Sequence, residues 1–142
     1  MNTRLPAISL AFISLLCLTA SSRAFFTRAD GSLSQGVVFH FYESTDVKQP
    51  TKLNIIEFVV QEQKSEKEWG VVWKLKGKCS LDTLRYGESC DGLTEETAAE
   101  PLARSARYRA LVSERAWLRP IGYSTVYFAF DKKGSVVTTG PR

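Results

Sequence analysis

Trp69-Gly70-Val71-Val72-Trp73-Lys74-Leu75-Lys76 decides the fold. Counting by twos puts Trp69, Val71, Trp73 and Leu75 on one side, with Lys74 and Lys76 on the other. A helix repeats its apolar residues every three or four positions, whereas a strand alternates between two faces. The segment therefore reads as a half-buried strand that places Trp73, Val71 and Leu75 in the core.

The same reading extends in both directions. Before it, Gly36 to Tyr42 is rich in β-branched and aromatic residues, and Leu53 to Glu62 puts Ile56, Phe58 and Val60 on one face. The charged run Lys64-Ser65-Glu66-Lys67-Glu68 is a turn. After it come a short strand at Leu81–Tyr86, ended by Gly87, and a strand at Tyr108–Glu114 with Tyr108, Ala110 and Val112 together. Tyr123 to Phe130 aligns Val126, Phe128 and Phe130, so Phe128 joins the predicted core. Asp131-Lys132-Lys133-Gly134 is a hairpin turn into a last strand at 135–138. Residues 91–106 read as a connection with one helical turn near Thr97-Ala98-Ala99-Glu100, stopped by Pro101. About seven short strands at near-regular spacing imply an all-β, antiparallel sandwich or barrel.

Leu102 lies six residues before Tyr108, and Tyr108 opens an alternating strand. This resembles the tyrosine corner of fibronectin type III and immunoglobulin-like sandwiches, in which a tyrosine on strand F bonds the backbone upstream. The resemblance implies an Ig-like sandwich over residues 53–137, with the Trp73 strand as B, Leu84-Arg85-Tyr86-Gly87 as C and 126–130 as G. The chain departs from the family pattern at Ala103 and Ser105, where proline and threonine are usual, and in having an additional strand at 37–42. The family's roles are mostly adhesion and recognition.

The N-terminus reads as an address. Met1-Asn2-Thr3-Arg4 is basic, Leu5 to Ala20 carries no charge, and Ser22 and Ala24 supply the small residues before a cut. That is the plan of a secretory signal peptide, with cleavage expected between Ala24 and Phe25. A retained anchor and lipid attachment at Cys17 are weaker alternatives, because the stretch is short for a membrane span and Leu16 is large. Residues 25–35 then form a flexible leader and residues 36–142 one sandwich domain. Arg4 and Arg23 leave with the signal and no acid does, so the formal charge of +4 falls to +2. Half of the basicity that hints at a nucleic-acid partner belongs to the address, so no nucleic acid is expected.

Cys17 leaves too, and the remaining pair, Cys79 and Cys90, is expected to form a disulfide in an oxidising compartment. Two thiolates and the single histidine, His40, make a poor metal site, so no metal and no cofactor are expected. His40 sits between Phe39 and Phe41 as a rim residue, and no serine lies in a nucleophile elbow; Ser124 follows Gly122-Tyr123 but precedes Thr125-Val126. The acidic pairs Glu95/Glu96, Glu88/Asp91 and Glu66/Glu68 fall in solvated turns. The chain is therefore expected not to be an enzyme.

Two basic groups remain. Arg104, Arg107, Arg109, Arg115 and Arg119 lie near Tyr108 and Trp117, and Lys74, Lys76 and Lys78 form a stripe. Both read as solvent faces of strands. Trp117 and Leu118, between Arg115 and Arg119, form the expected contact loop, since tryptophan and arginine are enriched at interface hot spots. The Cys79–Cys90 loop is the second choice. The expected function is an exported binding module for a protein or glycan, touching a membrane only if the signal segment were retained. A structural or accessory subunit of an envelope or secreted assembly, and a periplasmic inhibitor or enzyme of unrecognised type, are the alternatives.

Overall fold

The computed structural model describes residues 25–115 and 121–140. They form nine strands and no helix: β1 Phe26–Ser32, β2 Gly36–Tyr42, β3 Leu53–Gln63, β4 Trp69–Leu81, β5 Thr83–Arg85, β6 Leu93–Thr97, β7 Tyr108–Glu114, β8 Gly122–Phe130 and β9 Val136–Thr139. Every pairing is antiparallel. One sheet has the order β1-β2-β5, the other β6-β4-β3-β7-β8-β9. The expected all-β sandwich is what the chain builds.

The sheets meet through aromatic rings. Phe39 on β2 lies edge-on to Phe58 on β3 at 4.9 Å and to Phe128 on β8 at 5.6 Å. Trp73, Leu75, Phe39, Phe41, Phe58 and Phe128 are fully buried. Each such ring or branched chain stabilises the fold by roughly 1.5–3 kcal/mol relative to exposure.

The period of two fails at two bulges. Val60 faces Trp73 but Gln61 faces Val71, so Val72 is an extra residue on β4. Val72 and Trp73 consequently both point inward, at 2% and 0% exposure, while Val71 is 40% exposed. The expected core position of Val71 is thus corrected to Val72, because a bulged residue reverses the phase of the strand beyond it. On β3, Ile55 pairs with Glu114 and Glu57 with Ser113, leaving Ile56 as the extra residue. Ile55 is buried, and Ile56 is not among the buried core residues.

Residues 25–35 are not a flexible leader. β1 pairs with β2 from Phe26↔Tyr42 to Ser32↔Gly36, and Phe25 is buried. β1 is an edge strand that turns Arg28 and Asp30 outward and the small Thr27 inward, so it lacks the apolar alternation of a central strand. Thr27 Oγ1 donates to Ser124 Oγ at 3.0 Å, a link between the two sheets.

The expected helical turn within residues 91–106 is likewise absent. Leu93–Thr97 is instead the edge strand β6, which carries the exposed, charged Glu95 and Glu96, residues of the kind that guards a sheet edge against pairing with another chain. Trp73 Nε1 donates to Glu95 Oε2 at 2.9 Å, and Lys74 pairs with Glu96 at 3.1 Å.

The strand letters implied by the resemblance also move. The Trp73 strand shares a sheet with the Tyr108 strand, so it does not stand at B, which lies in the sheet opposite F. β5, with Leu84, lies in the other sheet and so does not stand at C. The strand at 37–42, additional in the sequence reading, is the centre of the three-stranded sheet.

Candidate functional site

The chain changes sheets twice between Leu81 and Leu93. It leaves β4, pairs Thr83–Arg85 with β2, and returns to pair β6 with β4. A Cys79–Cys90 disulfide closes this excursion, with Cα atoms 6.7 Å apart. Flanking the bridge on either side, Gly77 (φ +147°) and Gly92 (φ +98°) bring the chain segments close; a Cβ on Gly77 would strike the Gly92 carbonyl, and one on Gly92 the Lys78 carbonyl. Lys78 N donates to the Gly92 carbonyl at 2.9 Å.

Tyr108 is buried, and its hydroxyl accepts the amide of Ala103 at 2.7 Å. Leu102 packs against the core edge and lines a cleft of about 250 Å3 with Leu33, Val37 and Tyr86. Burial pushes the Tyr108 phenol above its ordinary value. These contacts position the β6–β7 connection.

The outer face of the six-stranded sheet is set by the register. One row crosses the sheet as Val71, Gln61, Arg109 and Tyr127; another as Lys76, Glu57, Ser113 and Tyr123. In the first row Arg109 is fully engaged: its guanidinium lies 4.3 Å from the Trp69 ring centroid and its Nε donates to Gln61 Oε1 at 2.7 Å. The second row differs. It forms an open groove of about 540 Å3 lined by Ile56, Glu57, Lys76, Lys78, Arg115 and Tyr123, among others. Tyr123 is 69% exposed, the highest value among the exposed large apolar side chains described.

The groove joins parts of both expected contact regions. Arg115 begins the expected contact loop and is held by its amide to the Asn54 carbonyl at 2.9 Å; Lys78 adjoins the disulfide crossing. Trp117, Leu118 and Arg119 lie outside the described residues. The arginines that cluster in sequence disperse in space: Arg107 donates to Thr139 Oγ1 and the Gly140 carbonyl at one end of β7, and Arg115 follows the other end.

Sequence reasoning missed Ile56 and Tyr123. Tyr123 was legible, since it has the opposite parity to Val126, Phe128 and Phe130 and so points outward. Ile56 was not, because its placement depends on the bulge.

For chemistry, His40 stands opposite Arg28 and Thr83 in register, and its Nδ1 is buried without a hydrogen-bond partner. Among the described residues no group of three histidine, cysteine or acidic side chains could hold a metal ion. Several acids are tied to neighbouring cations, Glu62 to Lys64 at 2.9 Å and Glu88 to Arg85 at 3.4 Å. No helix among the described residues is long and apolar enough to cross a membrane. The chain matches no family model, no curated protein and no solved structure.

Proposed function

We propose that this protein is an exported, non-catalytic binding module of the immunoglobulin-like type. Its contact surface is the groove end of the six-stranded sheet. The single observation that carries the reading is the groove itself: an exposed aromatic, two aliphatic walls and three cations converge on one open face. Aromatic and arginine side chains together are the composition of interface anchors.

Two further features support the type and the compartment. Ig-like sandwiches set A, B and E against C, F and G, with C′ beyond C in variable domains. Within the sheet order β6-β4-β3-β7-β8-β9, the inner run β4-β3-β7-β8 set against β1-β2-β5 is compatible with that scheme, with Tyr108 on the strand at position F and β6 and β9 as additional edge strands. The Cys79–Cys90 disulfide fits an oxidising destination, as does the signal-like character of residues 1–24.

The test uses the protein recovered from an exporting culture and immobilised as bait. Tyr123→Ala and Arg115→Ala should each remove the captured partner, and Val137→Ala, exposed at the far end of the same sheet, should not. Unchanged capture by the first two variants defeats the surface assignment. An accessory-subunit role predicts instead stoichiometric co-purification with a large assembly that none of the three changes disturbs.

A further inference from the structure

Cations on the outer face fall into two kinds. Lys74 is paired with Glu96, and Arg109 is stacked on Trp69 and bonded to Gln61. Lys76, Lys78 and Arg115, all lining the groove, form no ion pair with another described side chain. Lys76 stands directly opposite Glu57 in the register, yet no salt bridge joins them. Among the described residues, the groove therefore carries three cations without an ion pair against the one carboxylate of Glu57.

Length and polarity narrow what complements it. The row from Lys76 through Glu57 and Ser113 to Tyr123 crosses four adjacent strands. Three inter-strand gaps span about 14 Å, the reach of four or five residues of extended chain. Ile56, Ile121 and Tyr123 give the groove apolar walls, which need apolar groups on the occupant. A densely sulfated glycan offers no such groups and would also meet the Glu57 carboxylate. An extended peptide with alternating acidic and aliphatic side chains meets both demands, its carboxylates on the cations and its apolar chains against Tyr123.

We infer that the groove binds an acidic, partly aliphatic extended segment of a partner protein, an inference that rests on the reading of this face as the contact surface. Its carboxylates reach Lys76, Lys78 and Arg115, and Glu57 and Ser113 face its backbone from the groove floor.

The experiment is fluorescence anisotropy on the full exported protein with a labelled hexapeptide of alternating Leu and Glu. The controls are the same peptide with Gln for Glu and with Lys for Glu, and a heparin hexasaccharide. The Glu peptide should bind, and the Gln peptide should bind more weakly. Lys76→Ala with Lys78→Ala should weaken the Glu peptide roughly fivefold to tenfold. Lys132→Ala with Lys133→Ala, in the β8–β9 turn, should change it less than about twofold. Lys76→Glu with Lys78→Glu should reverse the preference toward the Lys peptide, a gain that misfolding cannot produce.

Equal binding of the Glu and Gln peptides overturns the inference, as does equal loss in the turn variant. Tighter heparin binding with the same lysine dependence overturns it in favour of a glycan. If Tyr123→Ala abolishes partner capture while the two-lysine variant leaves it intact, the acidic-segment inference fails and the contact surface stands. If Tyr123→Ala has no effect on capture, the surface itself is wrong.

Discussion

The hydroxyl of Tyr86 donates to the carbonyl of Glu100 at 2.6 Å, while the amide of Glu100 donates to the carbonyl of Val72 at 2.9 Å. Tyr86 follows β5 in the smaller sheet, Val72 belongs to β4 in the larger one, and Glu100 lies in the connection from β6 to β7. The Tyr86 ring meets the Trp73 ring edge-on at 5.0 Å. One side chain thus fastens three segments at the seam between sheets. Tyr86→Phe keeps the ring and loses the bond, which should cost about 1 kcal/mol in urea unfolding. Tyr86→Ala loses both and should cost about 3 kcal/mol, since a half-buried ring leaves a cavity. Equal losses in the two variants would place the whole effect in the hydrogen bond.

Tyr86 and Tyr108 also set an alkaline limit. Burial, and to a lesser degree the proximity of the two phenols, holds the Tyr86 hydroxyl above its ordinary value of 10.0; burial does the same for Tyr108. In the unfolded chain both ionise near that ordinary value. Above it the native state keeps protons that the unfolded state has lost, so stability falls as pH rises. The contribution is fully present below about pH 10 and drains away above it. Urea midpoints should therefore be level between about pH 8 and 9.5 and decline beyond about pH 10, with a shallower decline in Tyr86→Phe. A decline of the same steepness in that variant would assign the alkaline loss to other groups, such as the exposed ion pair of Lys64 with Glu62.

Fold class was legible because β2, β4, β7 and β8 each show β-branched and aromatic residues in alternation. The alternation gives the type of element but not its phase. Nothing in Val71-Val72-Trp73 distinguishes which valine shares the tryptophan's face; the answer lies in the partner strand, where Val60 and Gln61 take Trp73 and Val71. β1 was hidden by its edge position, where one face is solvent and the inward Thr27 is small. β6 was hidden because Glu95 is held by Trp73 Nε1, a tertiary contact that overrides its poor strand propensity. The candidate site was half legible: Arg115, Lys76 and Lys78 stood out by charge, but their convergence on Ile56 and Tyr123 comes from bulges and register.

The bulge makes a clean stability contrast. Val72→Ala removes buried methyl groups beside Trp73 and should cost about 1.5–3 kcal/mol. Val71→Ala trims a side chain that is 40% exposed and should stay within about 0.5 kcal/mol. Paired denaturation curves decide it. The reverse ranking would mean that β4 runs unbulged past Gln61, with Val71 facing inward.

The disulfide should act locally as well as globally. Cys79 and Cys90 are 11 positions apart, and closing so short a loop limits the unfolded chain by about 3 kcal/mol in the chain-entropy description. Cys79→Ser with Cys90→Ser should lower stability by about that amount. The bridge also encloses β5, which holds β2 by only three residue pairs, Val38↔Arg85, Phe39↔Leu84 and His40↔Thr83. So short a strand has little pairing of its own to resist opening, whereas β7 is paired along its whole length on both sides. Amide hydrogen exchange in the serine variant should therefore accelerate first in β5 and β6, with β7 and β8 keeping the protection set by global stability. Equal acceleration in all four strands would show that the bridge supports the whole sandwich and not the double crossing between its sheets.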